Sequence, residues 1–333
     1  MDGPPGILPC QTLQTLAEAG AIGAVTPLAA GQVQPASLDL RLAARCWRVR
    51  ASFLPGPQRS VAERIQRVAM HELDLEGGEV LERGCVYIAE LQERLRLPPG
   101  IAGRANPKSS TGRLDIFVRL LTDGGGTFDD VAEGYDGPLY LEIAPQTFSV
   151  LARSGTRLSQ LRLKRGQPAS TASTTVGVDL TGPLAGYRAR RHAGVVDLDA
   201  ESALDPADFF EPLESRRGEL LLDPGEFYIL ASKEVVDIPL AEAAEMTPID
   251  PAVGEFRAHY AGFFDPGFAS RAVLEVRSRE APFLLEDGQM VARLVFEPMS
   301  EPPSHAYGEG GSHYQRQGLK LSKHFRDWVS PSV

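Results

Sequence analysis

The sequence predicts an all-β protein made of two tandem β-domains, each a sandwich or a barrel, with a few short helices, and three observations carry that expectation. Its periodic segments are mostly short and rich in β-formers. With 33 glycines and 26 prolines there are turn residues enough to punctuate them all. Finally, segments of one half recur in the same order in the other, the signature of an internal duplication.

Taken in order, residues 11–22 place Leu13, Leu16 and Ala17 at helical spacing and end at Gly20, which reads as a short helix. Leu38, Leu40 and Leu42 then alternate with Asp39 and Arg41, the period of a strand with one face buried. Further strands are read at Val86–Ile88, Leu139–Ile143, Glu226–Leu230 and Ala292–Phe296. Two more short helices are expected, over 60–68 and 239–245.

The repeat is visible in spacing. Leu81–Ile88 followed by Pro98 matches Leu222–Ile229 followed by Pro239, and Gly84 stands as far from Pro98 as Gly225 does from Pro239. Leu141–Glu142–Ile143 precedes Gly155 and Leu161 at the intervals by which Leu274–Glu275–Val276 precedes Gly288 and Leu294. The early strand recurs as Leu38–Asp39–Leu40 and Val178–Asp179–Leu180. Two domains are therefore expected, over 1–165 and 176–333. Polar, aperiodic residues 166–175 are read as the linker.

A formal charge of -10 argues against a nucleic-acid polymer as partner, since such a surface is basic, and leaves room for a small anion held by a few placed cations. The three cysteines, Cys10, Cys46 and Cys85, form neither a disulfide framework nor a CxxC metal site. No apolar run is long enough for a membrane span and no secretory leader is read, so a cytoplasmic protein is expected.

Two stretches carry chemistry. Phe263 to Val276 reads as a tight turn, Asp265-Pro266-Gly267-Phe268, leading into a strand that sets Glu275 among apolar neighbours, where a carboxyl can keep its proton near neutrality. Lys108-Ser109-Ser110-Thr111-Gly112-Arg113 gathers the hydroxyls and cations that a phosphate requires. Taken alone, the first turn is an ordinary β-turn, and Glu142 or Glu275 an ordinary strand residue facing solvent. Their order along one chain gives them weight. Gly194–Asp199 imitates an aspartate motif of dUTP hydrolases but stands too early in the second copy.

These motifs, with Gln34–Leu42, Leu294–Pro298 and the tail Tyr314–Gly318, resemble the dCTP deaminase family of the dUTPase-like superfamily. The resemblance implies two dUTPase-like distorted jelly-roll β-barrels and a homo-oligomer. It further implies dCTP and dUTP as ligands, Mg2+ carried by the triphosphate, and loss of the cytosine amino group without catalytic zinc. By matching position, Glu275 is the base toward water, with Glu142 its counterpart in the first copy. Ser109, Ser110, Arg113 and Lys108 hold phosphates or orient the base, Asp265 binds the sugar 3'-hydroxyl, and Phe268 packs on deoxyribose. Tyr314 and Gln317 belong to the tail that closes over the triphosphate.

The two copies depart from the pattern in complementary places. Ile249–Val253 occupies the phosphate motif's register in the second copy and carries Asp250, while Ala132 stands where the first copy needs the sugar aspartate. A composite site is therefore expected, with Ser109 and Arg113 from one half and Asp265 and Glu275 from the other. Hydrolysis of dUTP, alone or coupled to deamination, and nucleotide binding without catalysis are the competing readings.

Overall fold

The long strand Ser37–Val49 organises the first half: it runs between Arg157–Arg165 on one side and Val86–Arg96 on the other, joining the two halves of an 11-stranded, nearly closed sheet. A register shift between Leu42 and Cys46 lets this one strand bend from one wall to the next. The computed structural model describes residues 3–249, 256–258, 262–278, 281–309, 314–315 and 317–328, those of 256–258 by backbone alone. Among them the helices are α1 (Cys10–Glu18), α2 (Val61–Val68), α3 (Ser109–Gly112) and a 3-10 turn at Pro206–Asp208, all else regular being strand. α2 is closed at its start by a reciprocal cap: Glu63 N donates to Ser60 Oγ and Ser60 N to Glu63 Oε2.

The second half repeats the first in register, not only in sequence. Glu142 of Asp136–Pro145 lies opposite Ile88, and Glu275 of Ala269–Ser278 lies opposite Ile229. Ala105 faces Leu161 and Met246 faces Leu294. Tyr87 Oη accepts from Glu82 N as Tyr228 Oη accepts from Asp223 N. Two barrels of one design result. They share a core, because Tyr187, Phe209, Phe210, Ile229 and Phe325 pack into the cluster that fills the first barrel, Phe148 meeting Phe209 and Phe210 edge to face. A smaller cluster around Tyr228, Leu274 and Leu294 fills the second.

Four sequence expectations need correction. Residues 239–245 do not form a helix: after Pro239 the chain enters the strand Glu242–Thr247, between Met290–Pro298 and Phe263–Phe264. The Ala and Glu content favours helix locally, but this is the repeat of Ile101–Pro107 and the waiting strand edges decide. The linker is in part structural, as Ala172–Gly177 pairs with Met290–Pro298. Val178–Leu180 makes only an isolated bridge, Val178 to Ser232, instead of a strand. Last, Leu38, Leu40 and Leu42 are buried as predicted, yet Asp39 and Arg41 between them are buried too. Arg41 is ion-paired with Glu93 at 2.7 Å.

Candidate functional site

A cavity of about 410 Å³ opens where the two barrels meet, and residues of both repeats line it. From the first come Lys108, Ser109, Ser110 and Arg113; from the second come Asp265, Phe268, Glu275, Tyr314 and Gln317. Nine of the ten residues expected from sequence thus share one cavity within a single chain.

The phosphate-motif side is built by α3, which follows Pro107 as the strand Ile101–Pro107 ends. Thr111 anchors it through a hydroxyl donated to Leu158 O at 2.8 Å. Lys108 Nζ is paired with Asp39, which explains why that aspartate is buried, and Arg157 lies 3.7 Å from the same carboxylate. The Arg113 guanidinium stacks over the Tyr314 ring at 3.9 Å and donates to Gln317 Oε1 and Lys320 O, both at 3.0 Å. The tail is therefore folded over the site by a first-repeat arginine. Ser270 Oγ fixes the same tail by donating to Gln317 O at 2.8 Å.

The opposite wall is the turn 265–268 and the strand behind it. Gly267 has φ +87, and a Cβ there would lie 2.7 Å from Ala306 Cβ, so glycine is required both by backbone and by the close approach of the segment 305–308. Tyr307 N donates to Pro266 O at 2.8 Å, closing that contact. Phe268 packs edge to face on Phe264 with ring centres 5.1 Å apart.

Glu275 is 4 % exposed. Burial pushes its carboxyl up from 4.5 to about 8, against the opposing pull of the Arg113 guanidinium. Burial likewise raises the Asp265 carboxyl, with Arg162 acting the other way. The same desolvation lowers Arg113 from its ordinary value. Two residues further along each chain segment, Asp115 and Arg277 are ion-paired, with Thr147 donating to Asp115 at 2.6 Å. A charge-reversed ion pair between the repeats thus lies two residues beyond Arg113 and Glu275.

Glu142 is the residue that the cavity does not include. It is buried, but Arg119 donates to its Oε1 from Nε at 2.9 Å and Nη2 at 2.6 Å, and the guanidinium is stacked over Phe128 at 3.5 Å. A carboxylate so neutralised has no open face for a substrate. Asp250 to Val253 lie outside the described residues, as does His313. His324 is buried between Ser322 Oγ and Leu198 O, and burial pushes it down to about 4. Asp197 and Asp199 of the dUTPase-like run are bound by Arg153 at 2.6 and 3.0 Å, a structural use.

Sequence reasoning missed Arg157, Lys323 and Arg162. Arg157 and Lys323 line the cavity. Arg162 lies behind it, donating to Asp265 Oδ1 at 3.0 Å. A signal existed for Arg162: the repeat register places Val295 at its position in the second copy, so an arginine had entered a site where the fold accepts an apolar side chain.

Comparison with known proteins places this geometry. The 2'-deoxycytidine 5'-triphosphate deaminase N-terminal domain family model matches residues 4–167, and the C-terminal domain model of the same family matches residues 153–325. A protein of Parafrankia sp. named dCTP deaminase, dUMP-forming, is 34% identical over 143 residues, 40% of this chain and 71% of that one. One of the same name from Methanobrevibacter smithii is 32% identical over 126 residues, 36% of this chain and 65% of that one. The crystal structure of 2'-deoxycytidine 5'-triphosphate deaminase from Agrobacterium tumefaciens superposes with a TM-score of 0.86 at 50% identity, covering 89% of this chain and 99% of that one.

Proposed function

The chain belongs to the 2'-deoxycytidine 5'-triphosphate deaminase family, and from that premise we propose that it deaminates dCTP to dUTP and ammonia in the cavity between its two repeats, with Glu275 as the proton-transferring group. The observation that carries this reading is a buried glutamate at about 8 in the same cavity as a buried arginine and two serines of the other repeat.

The chemistry follows from those groups. Water adds to C4 of the cytosine ring, Glu275 takes its proton, and the same carboxyl delivers a proton to nitrogen so that the C4–N bond breaks with ammonia as the leaving group. A carboxyl near 8 can both hold and release a proton at neutral pH. Arg113 and the α3 hydroxyls steady charge that develops on the ring and on the phosphates. Asp265 accepts from the sugar 3'-hydroxyl, Phe268 covers the deoxyribose, and Tyr314 with Gln317 shields the site from bulk water.

The carboxylates Asp39 and Glu201, which also line the cavity, face Lys108 and Lys323. That donor set holds phosphate oxygens through cations, and Mg2+ enters on the triphosphate as part of the substrate. One chain supplies both walls of the cavity, and the chain assembles into a homo-oligomer around sites of this kind.

Ammonia and pyrophosphate, scored separately with dCTP and with dUTP, test the proposal. Ammonia from dCTP without pyrophosphate is expected. Pyrophosphate from both nucleotides would reassign the chain to a dUMP-forming activity, and neither product would leave a binding protein.

A further inference from the structure

We infer that Arg162 is the positioning residue through which the enzyme selects a 3'-hydroxyl, a contact that the first repeat supplies to the second. The inference rests on the reading of Asp265 as the sugar contact.

Arg162 stands on Arg157–Arg165 of the first barrel and reaches across the junction. Its Nη1 donates to Ala244 O at 2.9 Å, and its Nη2 donates to Phe264 O at 2.8 Å and Asp265 Oδ1 at 3.0 Å. Its guanidinium lies over the Phe263 ring at 4.0 Å. The partners therefore belong to the strand that enters the turn and to Glu242–Thr247 paired beside it, and the arginine sets the position of the turn's entry as well as the orientation of the carboxylate. Both side chains of the ion pair are buried.

A planar donor held by three acceptors has few alternative arrangements. Holding Oδ1 fixes the rotation of the Asp265 carboxylate and so the direction in which its other oxygen meets a ligand. A second cross-barrel bond, Gly262 N to Asn106 Oδ1 at 2.8 Å, holds the same strand and is independent of the carboxylate. The turn thus keeps an anchor when Arg162 is changed, which separates aiming of Asp265 from simple placement of the backbone. In the second copy the corresponding residue is Val295, which has no donor to offer. This is consistent with Ala132 in the first copy, where there is no aspartate to aim.

The test compares dCTP with 2',3'-dideoxycytidine triphosphate in steady-state ammonia release by the full chain and by Asp265→Ala, Arg162→Met and Arg162→Lys. A site that hydrogen-bonds a substrate hydroxyl rejects the analogue lacking it. The ratio of kcat/KM for the two substrates should collapse in Asp265→Ala and fall about tenfold or more in Arg162→Met. Arg162→Lys should lie between, because an ammonium reaches fewer of the acceptors. Turnover of the dideoxy nucleotide should stay within about threefold in the two arginine variants. Equal losses on both substrates would make Arg162 merely structural and overturn the inference. A ratio unchanged in Asp265→Ala would overturn the sugar assignment and the inference with it. A ratio that falls in Asp265→Ala but not in either arginine variant would overturn the inference alone. Should Arg162→Met fail to fold, Arg162→Lys decides by the same ratio.

Discussion

Replacing Glu275 by glutamine should make the protein more stable at alkaline pH while removing its activity. The wild-type carboxyl goes from about 4.5 in an unfolded chain to about 8 in the native one because burial disfavours the charge. A native state that keeps its proton better than the unfolded state has its full stability below about 4.5 and loses it as pH rises through about 8. At ~1.4 kcal/mol for each tenfold change in proton affinity, the loss between pH 5 and pH 9 is about 4 kcal/mol. Glutamine keeps the shape and does not titrate, so that loss is absent from the variant. Urea unfolding of both proteins at pH 5, 7 and 9 isolates the effect, since every other titrating group is common to the two. The expected result is nearly equal stability at pH 5 and a gap of a few kcal/mol in favour of Glu275→Gln at pH 9. In parallel, ammonia release from dCTP should drop by ~10²- to 10⁴-fold with nucleotide binding retained, and wild-type kcat/KM should climb with pH until about 8. A stability gap independent of pH would refute the account of a protonated buried carboxyl. Activity within a few-fold of the parent would remove Glu275 from the proton transfer.

Chains carrying Arg113→Ala and chains carrying Glu275→Ala, each inactive, should remain inactive after co-refolding, because one chain builds both walls of the cavity; recovery of about a quarter of the activity would mean that walls come from different chains. Glu142→Gln should retain ammonia release within a few-fold, yet cost about 3 kcal/mol in urea unfolding by leaving the Arg119 charge without its partner; a collapse of turnover in a protein of unchanged stability would put Glu142 back among the reacting groups. Chelation of magnesium should raise KM for dCTP, whereas elemental analysis should find no stoichiometric zinc, and one zinc per chain required for turnover would defeat the proposed chemistry.

Spacing and alternation are enough, in this chain, to determine the all-β class and the duplication. The repeated intervals around Glu142 and Glu275 become identical strand registers, opposite Ile88 and Ile229, because β-pairing propagates one residue at a time and preserves offsets. Which glutamate reacts is not written in those intervals. The structure places Arg119 against one and leaves the other in a cavity, a difference made by side chains distant in sequence. Alternation also could not tell what covers the second face of Ser37–Val49: Asp39 and Arg41 have the pattern of solvent residues and are buried because Lys108 and Glu93 meet them there. The Ala and Glu content of 241–245 favours a helix by local propensity, and pairing on both edges makes it a strand. Periodicity reports the conformation of a segment and one of its faces. Partners such as Arg162 for Asp265 depend on how two barrels close on each other, and that depends on contacts between segments far apart in the chain.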